Sequence, residues 1–69
     1  MKELKEGQRV RLRCFNNQQD EGVLAAIEHV TPEYEKPYTG YIVQLDEKFI
    51  VGDDNGVREL YDENQLEAI

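Results

Sequence analysis

Five residues constrain this chain most: Gly52-Asp53-Asp54-Asn55-Gly56, set among runs of strand-forming side chains. Tyr41-Ile42-Val43-Gln44-Leu45 and Phe49-Ile50-Val51 precede them and Val57-Arg58-Glu59-Leu60-Tyr61 follows, all β-branched or aromatic in character and of strand length. Asn55-Gly56 is the strongest hairpin signal in the sequence. A two-residue turn that matches the twist of its strands needs positive φ at both central positions, which Asn tolerates and Gly adopts without steric cost. The stretch from Gly40 to Tyr61 therefore reads as an antiparallel hairpin or meander. A lone two-stranded hairpin is marginal in water, so the flanking segments must cover one of its faces.

Upstream, Gln8-Arg9-Val10-Arg11-Leu12-Arg13-Cys14-Phe15 alternates strictly, with Val10, Leu12 and Cys14 on one face and three arginines on the other. This is a half-buried first strand with Cys14 as a small core residue. The arginines read as a solvated face pairing with acids on a neighbouring strand, although three guanidinium groups in a row also suit an anion. Asn16 to Gly22 holds nothing apolar and reads as an exposed loop. Val23 to Val30 follows as a second strand, apolar on both faces at its start, as in a curved strand covered on both sides; Leu24 to Glu28 also has the propensity for a helical turn. His29 closes this strand without a second ligand or a nucleophile nearby in sequence, which makes it a surface or core-edge residue.

Thr31 to Gly40 is the most individual segment. Pro32 and Pro37 remove backbone donors and hold the residues before them extended, and the segment carries Tyr34 and Tyr38. Loops with paired aromatics are common binding elements, and a tyrosine here can equally act as a lid over the core. At the end of the chain, Asp62-Glu63-Asn64-Gln65 suits one 3₁₀ turn capped by Asp62, and Leu66 to Ile69 forms a short last strand.

Size and charge bound the function. The 69 residues form a single domain over residues 1–69, and a chain this short buries only ~60% of the surface it exposes when unfolded. A single cysteine excludes an internal disulfide, and one Cys with one His cannot close a structural zinc site. The core must be efficient or be completed by self-association. The free thiol and the absence of a long apolar run lead to the expectation of a cytoplasmic protein with no membrane segment. The net charge of −7 divides into +3 over residues 1–13 and −10 over the remainder. Such a surface repels phosphate backbones and argues against nucleic acid as a partner.

This order of short strands, with a short turn before the last, resembles the SH3-like small barrel. The resemblance runs from Gly7 to Ile69 and rests on the Gly7-Gln8-Arg9-Val10-Arg11-Leu12 opening, Gly22-Val23 at the second strand, Tyr41-Ile42-Val43-Gln44-Leu45, and the ending Tyr61-Asp62-Glu63-Asn64-Gln65-Leu66-Glu67. It implies an all-β fold: a single SH3-like barrel of five or six antiparallel strands with a 3₁₀ turn before the last. Fold alone does not imply function. The polyproline-binding SH3 domains grip their ligand with an aromatic-rich first loop and a tryptophan, and this chain has neither. Tudor-like barrels cage a methylated cation with aromatic rings, for which Tyr34, Tyr38, Tyr41, Phe49 and Tyr61 are available. The trimethoprim-insensitive dihydrofolate reductases are tetrameric small barrels whose pore is lined by a Val-Gln-Ile-Tyr run. The counterpart here, Val57-Arg58-Glu59-Leu60-Tyr61, places charge where that family is neutral.

No catalytic constellation is visible. Neighbouring acids on a strand point to opposite faces, and Asp53-Asp54-Asn55-Gly56 resembles half a calcium loop whose twelfth position is Asn64 instead of Glu. The sequence thus leads us to expect no catalytic residue, no metal and no cofactor. The expected function is a non-catalytic protein-interaction or accessory module, with Tyr34, Tyr38, Tyr41, Tyr61 and Phe49 as partner-binding residues and a protein or a second copy of the chain as partner. The alternative is a homo-oligomeric barrel that binds a small molecule, or acts as an enzyme, at a subunit interface.

Overall fold

The structure is a computed structural model that describes residues 4–13 and 19–69, with the backbone alone for Leu60 and Tyr61. Cys14 and Asn16 to Gln18, to which the sequence assigns a core position and part of a loop, lie outside the described residues.

Five strands form one antiparallel sheet: β1 (Arg9–Leu12), β2 (Glu21–Val30), β3 (Tyr38–Leu45), β4 (Val57–Tyr61) and β5 (Leu66–Ala68). Their order is β4-β3-β2-β1-β5, and among the described residues no ladder joins β4 to β5, so the sheet is not closed. Short 3₁₀ turns occupy Glu47–Phe49 and Glu63–Gln65. Among the described residues no helix is long and apolar enough to cross a membrane.

The alternation in β1 has the predicted consequence. Val10 and Leu12 are buried and Arg9 and Arg13 exposed, with Arg11 half-buried. Val10 and Leu12 join Leu4, Leu24, Val43, Leu45 and Leu66 in a core to which Ile27, Tyr41, Phe49 and Ile50 contribute partly buried surface. Its rows are cross-strand pairs, Leu12 opposite Leu66 and Leu24 opposite Val43.

The apolar character of both faces of β2 has a different cause from double coverage. The ladder steps from Leu24 opposite Val43 directly to Ala26 opposite Ile42, leaving Ala25 as the extra residue of a β-bulge. The bulge resets the alternation: Leu24 faces the core before it, Ile27 after it, and Ala25 is exposed. The helical turn that propensity allows over Leu24 to Glu28 does not form, because each of these residues except Ala25 pairs with β3.

Gly22 shows why the second strand begins as it does. It sits buried between Val10 and Leu45 in the ladder. A Cβ there would overlap the Gln44 carbonyl oxygen and lie 2.8 Å from the Leu45 Cα. β2 and β3 approach so closely that only glycine fits.

Two further expectations are corrected. Phe49-Ile50-Val51 is not a strand: the Phe49 and Ile50 N–H groups donate to the Asp46 and Glu47 carbonyls (2.9 and 3.0 Å) in a 3₁₀ turn. Phe49 and Ile50 fold back as a lid on the core edge while Val51 faces solvent. The sheet accordingly has five strands. Nor is Asn55-Gly56 the tip of a two-residue hairpin. The Leu45 N–H reaches the Gly56 carbonyl at 2.8 Å, so residues 46–55 are all connection and the Asn-Gly pair launches β4. Gly56 does take positive φ (77°), and its N–H donates to Asp54 Oδ1 (2.7 Å) while the Val57 N–H donates to Asn55 Oδ1 (2.9 Å). The Ile50 side chain packs where a Cβ at Gly56 would stand, 2.6 Å away, so the lid and the turn fix each other.

Candidate functional site

Two surfaces of the sheet carry the polar chemistry of the chain. The first is the outer face of β1. Arg11 lies opposite Glu21 on one side and Glu67 on the other, and its guanidinium reaches Glu21 Oε2 at 3.0 Å and Glu67 Oε2 at 3.5 Å. Arg9 forms a two-pronged pair with Asp46 (2.9 and 2.6 Å) and touches Glu21 at 3.5 Å. The result is a row Asp46–Arg9–Glu21–Arg11–Glu67 across four strands or their ends. Hydrogen bonding from Arg9 holds the Asp46 carboxyl below the usual range, and the same bond raises the Arg9 guanidinium. These two arginines are thereby occupied by acids of their own chain; the alternation placed them on one outer face but left open which acids they meet.

A smaller version lies at the start of β4. Arg58 grips Asp54 through two bonds (3.0 and 2.7 Å). With the Gly56 N–H also donating, the Asp54 carboxyl is pushed down to about 2.

The second surface is a cleft of about 690 Å³ at the end of the sheet where β3 begins. Pro37, Tyr38, Thr39 and Tyr41 line one side, and Asp62, Glu63 and Asn64 the other. The ladder itself brings them together. Tyr41 pairs with Tyr61, so the residue after Tyr61 is delivered beside the first turn of β3. The 3₁₀ turn then holds the acids in place through a reciprocal cap: Asp62 Oδ1 accepts from the Asn64 N–H (2.6 Å), and the Asp62 N–H donates to Gln65 Oε1 (2.9 Å). Tyr41 is half-buried and leans on the core, whereas Tyr38 is 45% exposed. His29 stands opposite Thr39, its Nδ1 3.3 Å from the Thr39 hydroxyl.

β3 starts at Tyr38, earlier than the proline-rich loop suggested, because Val30 pairs with Tyr38 and continues the ladder up to the loop. Of the residues expected to bind a partner, Tyr38 and Tyr41 share the cleft. The Tyr61 backbone pairs with Tyr41. Tyr34 stands apart in the loop at 89% exposure and does not line the cleft. Phe49 is elsewhere, against the core edge, with the Lys48 ammonium 5.2 Å from its ring centre. Sequence reasoning assigned Asp62 only a capping role and missed Glu63 and Asn64 as lining residues. The signal that locates them is the Tyr41–Tyr61 register, which no local pattern encodes.

The described lining of the cleft offers two phenol rings, two carboxylates and amide and hydroxyl dipoles. Among the described residues no group of three or more His, Cys, Asp or Glu side chains could hold a metal ion. No protein-family model, curated protein or solved structure matches the chain.

Proposed function

We propose that the chain is a small SH3-like barrel that acts as a non-catalytic protein-interaction module and receives its partner at the cleft between the start of β3 and the second 3₁₀ turn. The barrel is supported by the strand order and by the bulge midway along the ten-residue β2, since a bulge bends a strand and lets a five-stranded sheet curl on itself. The interaction role is carried by one observation: an open cleft with two tyrosines on one wall, one of them nearly half exposed, and a rigidly capped polar turn on the other. Tyrosine supplies a large, rigid, amphipathic contact at low entropic cost, which is why it anchors protein interfaces. The test is affinity capture from native cells with the chain and its Tyr38→Ser variant side by side. A partner retained by the first and lost by the second supports the role; identical capture profiles overturn it.

A second reading, an oligomer whose ligand pocket forms between subunits, is favoured by the two sheet edges at β4 and β5 together with the exposed apolar Val51 and Ile69. Light scattering across a range of concentrations decides it, and a strictly monomeric mass removes it.

A further inference from the structure

The cleft has a sign. Its wall at the 3₁₀ turn carries Asp62 and Glu63, the facing wall carries Tyr38 and Tyr41, and among the described residues no lysine, arginine or histidine lines it. The Asp62 side chain accepts from backbone N–H groups of its own turn, Asn64 among them, which fix the direction of the carboxylate and bring no cation to it. Four acids elsewhere on the sheet and its turns are met by arginines: Asp46 and Glu21 by Arg9, Glu67 by Arg11, Asp54 by Arg58. No described side chain donates a hydrogen bond to the Asp62 carboxylate. The face of a phenol ring is electron-rich and attracts a cation, and a carboxylate beside it adds both charge and directional acceptors. An anionic ligand would meet the Asp62 carboxylate here, in a chain whose net charge is −7.

From this we infer that the cleft takes a cationic side chain, the ammonium of lysine or the guanidinium of arginine, on a basic segment of a protein partner. The inference rests on the interaction role proposed above and adds the chemistry of what binds. The one-signed surface also steers such a segment toward the cleft before contact, so association slows as salt is added.

The probe is a short synthetic peptide containing arginine and lysine, with neutral blocked ends, titrated into the ¹⁵N-labelled chain alongside a counterpart with glutamate at the basic positions. The basic peptide shifts the amides of residues 38–41 and 62–64 along a saturable curve, and the acidic peptide leaves them in place. Tyr38→Ser and Asp62→Asn each weaken the binding about fivefold, the size of one cation–π or one exposed charge contact. Asparagine caps a helical turn as well as aspartate does, so the second variant removes charge while keeping the fold. Shifts scattered over the acidic surface without saturation, or equal binding of the acidic peptide, overturn the inference. Tyr38-dependent capture of a partner with no basic-peptide binding also overturns it and leaves the interaction role standing. Saturable binding at the cleft without any Tyr38-dependent partner supports the inference and counts against the role.

Discussion

The outer face of β1 and the cleft at the start of β3 are built from similar polar residues and have opposite characters. On β1 each acid in the row is met by a guanidinium of the same chain: Arg11 stands directly opposite Glu21 and Glu67, and Arg9 reaches Asp46 just beyond the end of β3. In the cleft the acids come from a turn, the aromatic rings come from a strand, and among the described residues no base lines the space between them. The difference teaches that composition does not separate a charge answered by an arginine of the chain from one held only by the backbone of its own turn. Asp46 and Asp62 are both acids at the end of a strand, each just before a 3₁₀ turn. One is neutralised by Arg9 and the other is held by a backbone N–H that leaves its charge in place. What decides between them is which strand the fold brings alongside.

The comparison can be broken most severely at the element both regions share. Gly22 stands where β1, β2 and β3 meet, and Gly22→Ala forces a methyl group into the Gln44 backbone. It should destabilise the chain by about 3 kcal/mol, seen as a fall in the urea midpoint with little change in slope, and both surfaces should be lost together. The cleft alone is loosened by Asp62→Ala, which removes the cap of the 3₁₀ turn at a cost of about 1 kcal/mol. Asp62→Asn should recover that stability, so the two variants separate in thermal unfolding. The next effect is one of pH. Asp54 is held at about 2, below its ordinary value, so its stabilising contribution is complete above about pH 4. It is lost as the pH falls through 2, where Asp54 protonates even in the folded chain. Asp46 is lowered too and acts in the same direction. Urea midpoints should therefore fall between pH 4 and pH 2, and Asp54→Asn should flatten part of that fall. The smallest change in stability belongs to Tyr38→Ser, which exposes no core. Its midpoint should stay within about 0.5 kcal/mol of the parent, the ordinary range for surface substitutions, while binding of the basic peptide weakens about fivefold. A large loss of stability in that variant would show that the tyrosine belongs to the fold and would erase the distinction between the two surfaces.

How much of this was legible in the sequence follows the range of the interactions. The face of β1 was legible because alternation is local: Val10 and Leu12 had to be buried together, and Arg9 and Arg11 had to face acids or water. The capped turn after Asp62 was legible for the same reason. The β-rich character of Phe49-Ile50-Val51 misled because those residues are apolar for the sake of a lid, and a lid has no period. Asn55-Gly56 carried the right backbone tendency in the wrong place. Its positive φ is real, but the loop before it is long, since Asp46 is held by Arg9 and Ile50 must reach over Gly56. The cleft was half legible. Tyr38 and Tyr41 could be named from their residue type, yet the acids facing them depend on a pairing between residues 41 and 61, and Tyr34 and Phe49 have the same chemistry in the wrong position.

Ala25 gives the sheet a property that belongs to its length. It occupies a place in β2 that has no counterpart in β3, and it adds a residue between Leu24 and Ile27 while both stay on the core face. Removing that single residue would leave Leu24, Ala26 and Ile27 in strict alternation, each still opposite its present neighbour. No side chain would change sides, and the strand would lose its kink. In this protein the shape of the sheet and the identity of its two faces are thus written separately, the faces in the order of the residues and the bend in one extra small one.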